Sequence, residues 1–362
     1  MINSKKDTKP NLESNYDEMR ARLLHWYDSE GRTLPWRIRP EDRAAGKNAD
    51  PYAIWLSEIM LQQTTVAHGT PYWHKFLNEF PTVTDLANAE RETVLSLWAG
   101  LGYYARARNL HKCAVIIRDD YNGQFPNSEA ELLKLPGIGA YTAATMAAIC
   151  FDEATNIVDG NVERVISRIF TIEEPLPKGR KDIRKMAGAL ASPQRTGDYG
   201  QALMDLGAMI CTPRSPNCSK CVWQDYCSAF AAKTQLEYPK KAPKKSLPIR
   251  YGVVFIAIRG EAVLLETRPD NGLLGGMLGL PGTDWAEGGF PTDPMNHAPF
   301  KGDWQAVNGE VRHVFTHFDL RLAVYRAVFD EKDISIGHNG LWADSSQRKG
   351  LPTVFKKALK AI

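Results

Sequence analysis

"LPGIGAYTAATMAA" (residues 135–148) decides how the larger part of this chain is read. A short apolar segment runs into Pro136. Gly137 and Gly139 then form a tight Gly-x-Gly turn, and an alanine-rich helix starts at once. The pattern is two helices joined by a hairpin. A turn of this kind presents successive backbone N–H groups at the start of a helix, a nest for an anion. The glycines let the backbone approach closely. Tyr141, two residues past the second glycine, needs a separate explanation.

Outward from the hairpin, residues 16 to about 230 read as helix after helix. Segments 88–98, 105–121, 140–150, 162–170, 181–191 and 200–210 have helical spacing rich in Ala and Leu. Asp50-Pro51 reads as an N-cap followed by proline at the first helical position, and Ser128-x-x-Glu131 as a capping box. "YPKKAPKKSLP" (238–248), with its prolines and lysines, reads as a solvated linker within 231–249. Beyond it "YGVVFIAI" and "AVLLET" form a hairpin around Arg259-Gly260, residues 310–329 give two more strands, and a short helix over 353–361 follows. The stretch 38–50 reads as a surface loop. The fold expected is an all-α domain over 16–230 joined to a smaller α+β domain over 250–362.

The net charge of +3 permits a nucleic-acid partner without arguing for one. "MINSKKDTKPNLESN" lacks the apolar core of a signal peptide and no run reaches transmembrane length, so the expected location is cytoplasmic. A monomer is expected.

Four of the six cysteines are spaced Cys211-x6-Cys218-x2-Cys221-x5-Cys227. Four thiolates so crowded can enclose a tetrahedral zinc or a [4Fe–4S] cube. Zinc modules bring two close pairs; a single Cys-x2-Cys pair with wider flanks suits the larger object. Cys113 and Cys150 lie in helices and read as core fillers.

Two carboxylates stand in opposed surroundings. Glu58 is the one charged residue of "PYAIWLSEIMLQQTTV" (51–66), a segment read as a helix apolar over most of its circumference, with Glu58, Gln62 and Thr65 on a narrow polar stripe. Its carboxyl is expected to be desolvated, with a raised pKa; a salt-bridged Glu is the alternative. Asp159, in "TNIVDGNVERVISRIF" (155–170), precedes a helix, where negative charge is favoured, or is a plain N-cap. An acid that protonates a departing base and an anion beneath a cationic sugar are what cleavage of an N-glycosidic bond needs.

The cysteine spacing behind a helical segment with LPGxG resembles the iron–sulfur branch of the helix-hairpin-helix DNA glycosylases, the superfamily of endonuclease III. "LPWR" (34–37), "PYAIWLSEIMLQQT" (51–64), "WAGLGYYARARNL" (98–110), "LPGIGAYTA" (135–143) and "VDGNVERV" (158–165) together resemble the adenine DNA glycosylases, the MutY family.

The resemblance implies a [4Fe–4S] cluster on the four cysteines, with Arg214 and Lys220 of that loop offered to DNA. It implies Glu58 as the acid, which later assists water, Asp159 as the group that stabilises the oxocarbenium ion or briefly bonds to it, and Asn161 as the residue that orients that site. Gln63 and Tyr103 match residues that enter the base stack when adenine is flipped out. Thr64 and Leu101 fall at neighbouring contacts, and Trp36 and Arg37 at the adenine pocket. Taken singly, each aromatic reads as core; the ordered set carries the reading. Relatives that nick the strand carry a lysine where Tyr141 stands, so a monofunctional glycosylase is implied, with Tyr141 near Asp159.

The family also carries a Nudix-like domain that recognises 8-oxoguanine. "LLGGMLGLPG" (273–282) resembles its glycine-rich segment, while "TDWAEGGFPTDP" stands where a Glu-rich metal-binding helix would be. Phe315-Thr316-His317 stands for the family's Phe-Ser-His loop. The partner implied is duplex DNA with an 8-oxoguanine:adenine or guanine:adenine pair, and the resemblance implies association with the nucleoid if the source is a bacterium. The alternatives are a sister glycosylase acting on mismatched thymine or oxidised pyrimidines, a non-catalytic iron–sulfur sensor, and a Nudix-type nucleotide hydrolase, against which the missing acidic helix speaks.

Overall fold

The structure, a computed structural model, describes residues 15–243, 246–269, 272–330 and 340–362. The N-terminal stretch 1–14 and Lys244 and Lys245 of the linker lie outside the described residues. Backbone contacts divide the chain into two compact units, one of residues 1–97 and 106–243, the other of 98–105 and 244–362.

The first unit is helical throughout. Asp50 caps Pro51–Leu61 by accepting from Tyr52 N at 2.9 Å, as the Asp-Pro pair predicts. The hairpin helix Ala140–Phe151 buries eight residues, packs against Thr196–Asp205, and gives Ala144 and Ala148 to the core that also holds residues of Tyr16–Glu30 and Gly160–Phe170. Small side chains on that helix allow the close approach on which the cleft beside it depends. Gly137 has φ +80, and a Cβ there would meet Asn109 Cβ at 2.8 Å, so the turn needs glycine on both counts. Gly139 is extended and caps the helix without a side chain.

Several expectations are corrected. The segment 51–66 is not one helix: Pro51–Leu61 ends at Gln62, Gln63 takes a left-handed φ of 59°, and Thr65 caps a second helix, Val66–Glu79. The polar run QQTT carries no Gly or Pro to announce that break. Segment 88–98 is split between Val83–Asn88 and Arg91–Leu97. Segment 200–210 is the helix Thr196–Asp205 followed by a π-helical turn, Leu206–Ile210. Residues 38–50 are not a simple loop, since they include the helical turn Pro40–Ala44 and are pinned by buried Arg39, which donates to Tyr27 O and Asp28 O. Residues 238–242 are not a free tether: Tyr238 is buried, and Leu176 exchanges backbone bonds with Lys240 and Ala242.

The second unit holds a seven-stranded mixed sheet: β1 (Ile249–Arg259), β2 (Ala262–Thr267), β3 (Leu278–Gly279), β4 (Gln305–Ala306), β5 (Val311–Val314), β6 (Asp319–Val328) and β7 (Gly340–Ala343). The order is β3-β2-β1-β6-β4, with β5 also on β6 and β7 also on β2. The predicted β1–β2 hairpin forms, and β1 pairs in parallel with β6 over ten residues. The unbroken buried run Val253–Ala257 fits a central strand covered on both faces. The helix Thr353–Leu359 covers one face through Val354, Phe355 and Ala358. No described helix is long and apolar enough to cross a membrane.

Candidate active site and cysteine cavity

A cleft of about 390 Å³ in the helical unit gathers the four catalytic candidates and four of the candidate DNA-binding residues. Glu58, Asp159, Tyr141, Asn161, Trp36, Arg37, Gln63 and Thr64 all line it, with Arg32, Gln201 and Met204. Glu58 comes from Pro51–Leu61, whose other side chains are mostly buried. Burial pushes its pKa up to about 7, against the opposing pull of a hydrogen bond from Tyr141 and the charge of Arg37, while Asp159 adds to the rise. The lone-carboxylate reading of that helix is therefore met by burial rather than by a salt bridge.

Asp159 caps Gly160–Phe170. Its Oδ1 accepts from Val162 N at 2.7 Å and its Oδ2 from Asn161 Nδ2 at 2.8 Å. Both oxygens are oriented by donors on the helix that the carboxylate caps, so the anion is fixed in place. Asn161 in turn accepts at Oδ1 from Arg164 Nη2 at 2.9 Å. Arg164 also donates to Gly207 O and Cys211 O, both at 2.7 Å. Tyr141 shares the cleft with Asp159, and its hydroxyl donates to Met204 Sδ at 3.3 Å and reaches Glu58. Burial and the two carboxylates push its own pKa well up, so the phenol stays protonated.

Leu101 and Tyr103 fall with the other unit by backbone contacts. Tyr103 carries a left-handed φ of 48° and is 59 % exposed, whereas Leu101 is buried. Gln63 and Tyr103, the two residues matched to the base stack, thus both hold a backbone conformation that non-glycine residues rarely adopt. In the second unit Phe315-Thr316-His317 forms the turn between β5 and β6, closed by Phe315 N on Phe318 O at 2.9 Å. Thr316 and His317 are exposed. Phe315 stacks on Trp285 at 5.7 Å, a residue of the stretch that stands in place of an acidic helix.

Cys211, Cys218, Cys221 and Cys227 line one small cavity walled by Val165, Ile169, Leu206 and Phe230. Burial pushes the bare thiols of Cys221 and Cys227 up to about 12 and about 11, so in this pocket they are thiolates only if a metal group takes their charge. Arg168, 2 % exposed, donates to Cys211 Sγ at 3.2 Å and to the carbonyls of Thr212, Pro213 and Tyr238. A buried cation whose partners are carbonyls and one sulfur fits a thiolate-held cluster. Arg214 and Lys220 are exposed on the same loop. Cys113 and Cys150 are buried or nearly so, with thiols pushed up to about 12, as core fillers should be.

Asp205 escapes the sequence reading, as do Arg32, Arg164 and Arg168. A signal for Asp205 exists: it is the one charged residue in "ALMDLGAMI" (202–210), the same pattern that singles out Glu58. The arginines give none, because most of their partners, the Asp205 carboxylate for Arg32 and backbone carbonyls for Arg164 and Arg168, lie far away in the chain.

Residues 56–189 match the family model of the HhH-GPD superfamily of base excision DNA repair proteins. Residues 211–227 match the iron–sulfur binding domain of endonuclease III, and 253–361 the NUDIX domain. Fold and site thus define a helix-hairpin-helix base-excision repair protein with a [4Fe–4S] loop and a Nudix-like domain. The chain is 34 % identical over 380 residues to the adenine DNA glycosylase of Mus musculus, covering 89 % of this chain and 72 % of that one. It is 32 % identical over 347 residues to the adenine DNA glycosylase of Buchnera aphidicola subsp. Baizongia pistaciae, covering 94 % and 95 %. A solved thermostable thymine-DNA glycosylase superposes with TM-score 0.54 at 29 % identity, over 60 % of this chain and 98 % of that one. The chain belongs to the adenine DNA glycosylase family of DNA-repair enzymes. All four cysteines lie within 211–227, so the cluster they would hold would supply a covalent cross-link that closes that loop on itself.

Proposed function

We propose that this chain removes adenine mispaired with 8-oxoguanine or guanine in duplex DNA, by hydrolysis of the N-glycosidic bond and without an efficient strand-nicking step. The observation that carries the reading is one cleft with two carboxylates in different states, Glu58 with a pKa near 7 and Asp159 held by two donors.

In this reading 16–230 is the catalytic part and 250–362 recognises the opposite base. Gln63, Thr64, Leu101 and Tyr103 act at the base stack as adenine is flipped out, and the Gly137–Gly139 hairpin holds a phosphate. The adenine enters beside Trp36 and Arg37. Protonated Glu58 gives its proton to a ring nitrogen of the departing base. The C1′–N bond breaks with its electron pair going to the base, and the cationic sugar forms above Asp159, which Asn161 keeps in place. Water then adds at C1′ as the Glu58 carboxylate takes its proton. A phenol rather than an amine stands in the cleft at position 141, so no Schiff base can form there, which supports a monofunctional enzyme. Thr316 and His317 are offered to 8-oxoguanine.

The test is a labelled duplex with one 8-oxoguanine:adenine pair and excess protein, resolved with and without hot alkali. Cleavage of the adenine strand only after alkali is expected. Cleavage without alkali overturns the monofunctional reading. A thymine:guanine duplex run in parallel tests the sister activity to which the thymine-DNA glycosylase likeness points.

A further inference from the structure

The stretch 31–37 has neither helix nor strand, yet Arg32, Leu34, Trp36 and Arg37 from it wall the cleft. Irregular backbone has no hydrogen-bond ladder to hold it in register, so such side chains are placed only as well as their anchors. The anchor here is one carboxylate. Asp205 is fully buried. Its Oδ2 accepts from Arg37 Nη1 at 2.7 Å and Arg32 N at 2.8 Å, and its Oδ1 from Arg37 Nη2 at 2.9 Å and Arg32 Nε at 2.6 Å. All four donors come from the two ends of this one stretch. Arg37 Nη1 also donates to Arg32 O, closing the stretch on itself. A bidentate guanidinium–carboxylate pair fixes orientation as well as distance.

We propose that Asp205 is a positioning residue for adenine excision: it locks the Arg32–Arg37 stretch so that Trp36 and the remaining N–H groups of Arg37 face the flipped base beside Glu58. The inference rests on the adenine reading of the cleft. Trp36 packs on Trp73 at 5.6 Å, so the clamp at Arg32 and Arg37 decides where its indole stands against that ring.

The clamp also has an electrostatic consequence. The groups that face Glu58 are Tyr141, Arg37 and Asp159. Asp205 balances the charge of Arg37. In Asp205→Asn that balance is gone, and the field of Arg37 falls more strongly on Glu58 and favours its ionised form. Because Glu58 must be protonated to act, the fall in rate at high pH then begins at a lower pH.

The experiment is single-turnover adenine release from a guanine:adenine duplex by the full-length, cluster-loaded protein. Asp205→Asn is expected to keep the iron–sulfur absorbance and duplex affinity while slowing release about 100-fold. Its high-pH limb moves down, and Asp205→Glu recovers part of the rate. A loaded Asp205→Asn with wild-type rate and profile overturns the proposal, as does a slow variant whose profile has not moved. Should neither Asp205 variant fold, Arg32→Met decides. Loss of Arg32 leaves Asp205 less neutralised, so release slows about tenfold and the high-pH limb moves up; wild-type kinetics overturn the proposal. A wild-type protein that releases no adenine overturns the adenine reading of the cleft itself, a failure distinct from that of the clamp.

Discussion

Two cavities of the helical unit are built against the same helix, Gly160–Phe170, and are opposite in kind. At its N-terminus Asp159 faces a polar cleft, and near its far end Arg168 reaches into the cysteine cavity. In the cleft charge is left labile: Glu58 sits where burial is opposed by Arg37, and its proton is available at neutral pH. In the cysteine cavity charge is fixed, because a buried guanidinium is held by four carbonyls and a sulfur. One site is built to move a proton, the other to hold a loop.

The largest effect expected from breaking this contrast is at Glu58. Glu58→Gln cannot give a proton, and adenine release should fall about 10³-fold. The same change should stabilise the protein at high pH. A carboxyl whose folded pKa is about 7, above its ordinary 4.5, contributes stability that is complete below about pH 4.5 and is lost as pH rises through 7. At pH 8 the ionised Glu58 therefore costs on the order of 3 kcal/mol, which Gln avoids. Melting temperatures at pH 5 and pH 8 check this: the gain of the variant should be present at pH 8 and absent at pH 5. In the wild type the rate should decline above about pH 7 as Glu58 ionises.

Arg168→Met tests the fixed side. It strands the carbonyls of Thr212, Pro213 and Tyr238 and removes the donor to Cys211 Sγ. The expected cost is about 3 kcal/mol, read as a lower melting temperature with loss of iron–sulfur absorbance. Activity then falls in proportion to cluster content. A variant that keeps its cluster but loses activity would mean that Arg168 serves the cleft directly.

What is legible in the sequence follows the same division. Glu58 can be found because a single charge in an apolar helix is a local fact, and the four cysteines because their spacing is local too. Asp205 obeys the first rule and still escapes, since its partners lie 168 and 173 residues away and nothing in its own neighbourhood says that it binds arginines. The β1–β2 hairpin is legible from one turn, whereas the parallel β1–β6 pairing joins strands with most of the domain between them. β3 and β4, at two residues each, are too short for a period of two to appear. The break at Gln63 is hidden because a left-handed glutamine goes against propensity and no Gly or Pro beside it marks the turn.

A smaller effect is expected where the two sites touch. Arg164 bonds Asn161 on one side and Cys211 O on the other. Arg164→Met leaves Asn161 without its acceptor-side partner, so the amide that orients Asp159 gains freedom. Single-turnover release should slow about tenfold while duplex affinity holds, because the lost bond serves the reaction and not the groove. A variant with unchanged rate would show that Val162 N alone suffices to fix Asp159.

The smallest expected change tests the same junction by volume alone. Gly207 lies in the π-helical turn between Asp205 and Cys211, and a Cβ there would stand 2.6 Å from Asn161 Cβ and 3.0 Å from Asn161 O. Its backbone needs no left-handed φ, so the glycine is there for proximity rather than conformation. Gly207→Ala must push the turn and the start of Gly160–Phe170 apart, at a cost of about 1–2 kcal/mol. If the turn yields, the strain goes toward Asp205 and Cys211 and appears as weaker cluster retention with release nearly intact. If the helix start yields, Asn161 and Asp159 move, and release slows while the cluster stays. Comparing iron–sulfur absorbance with single-turnover rate in this one variant therefore says which of the two sites is the stiffer.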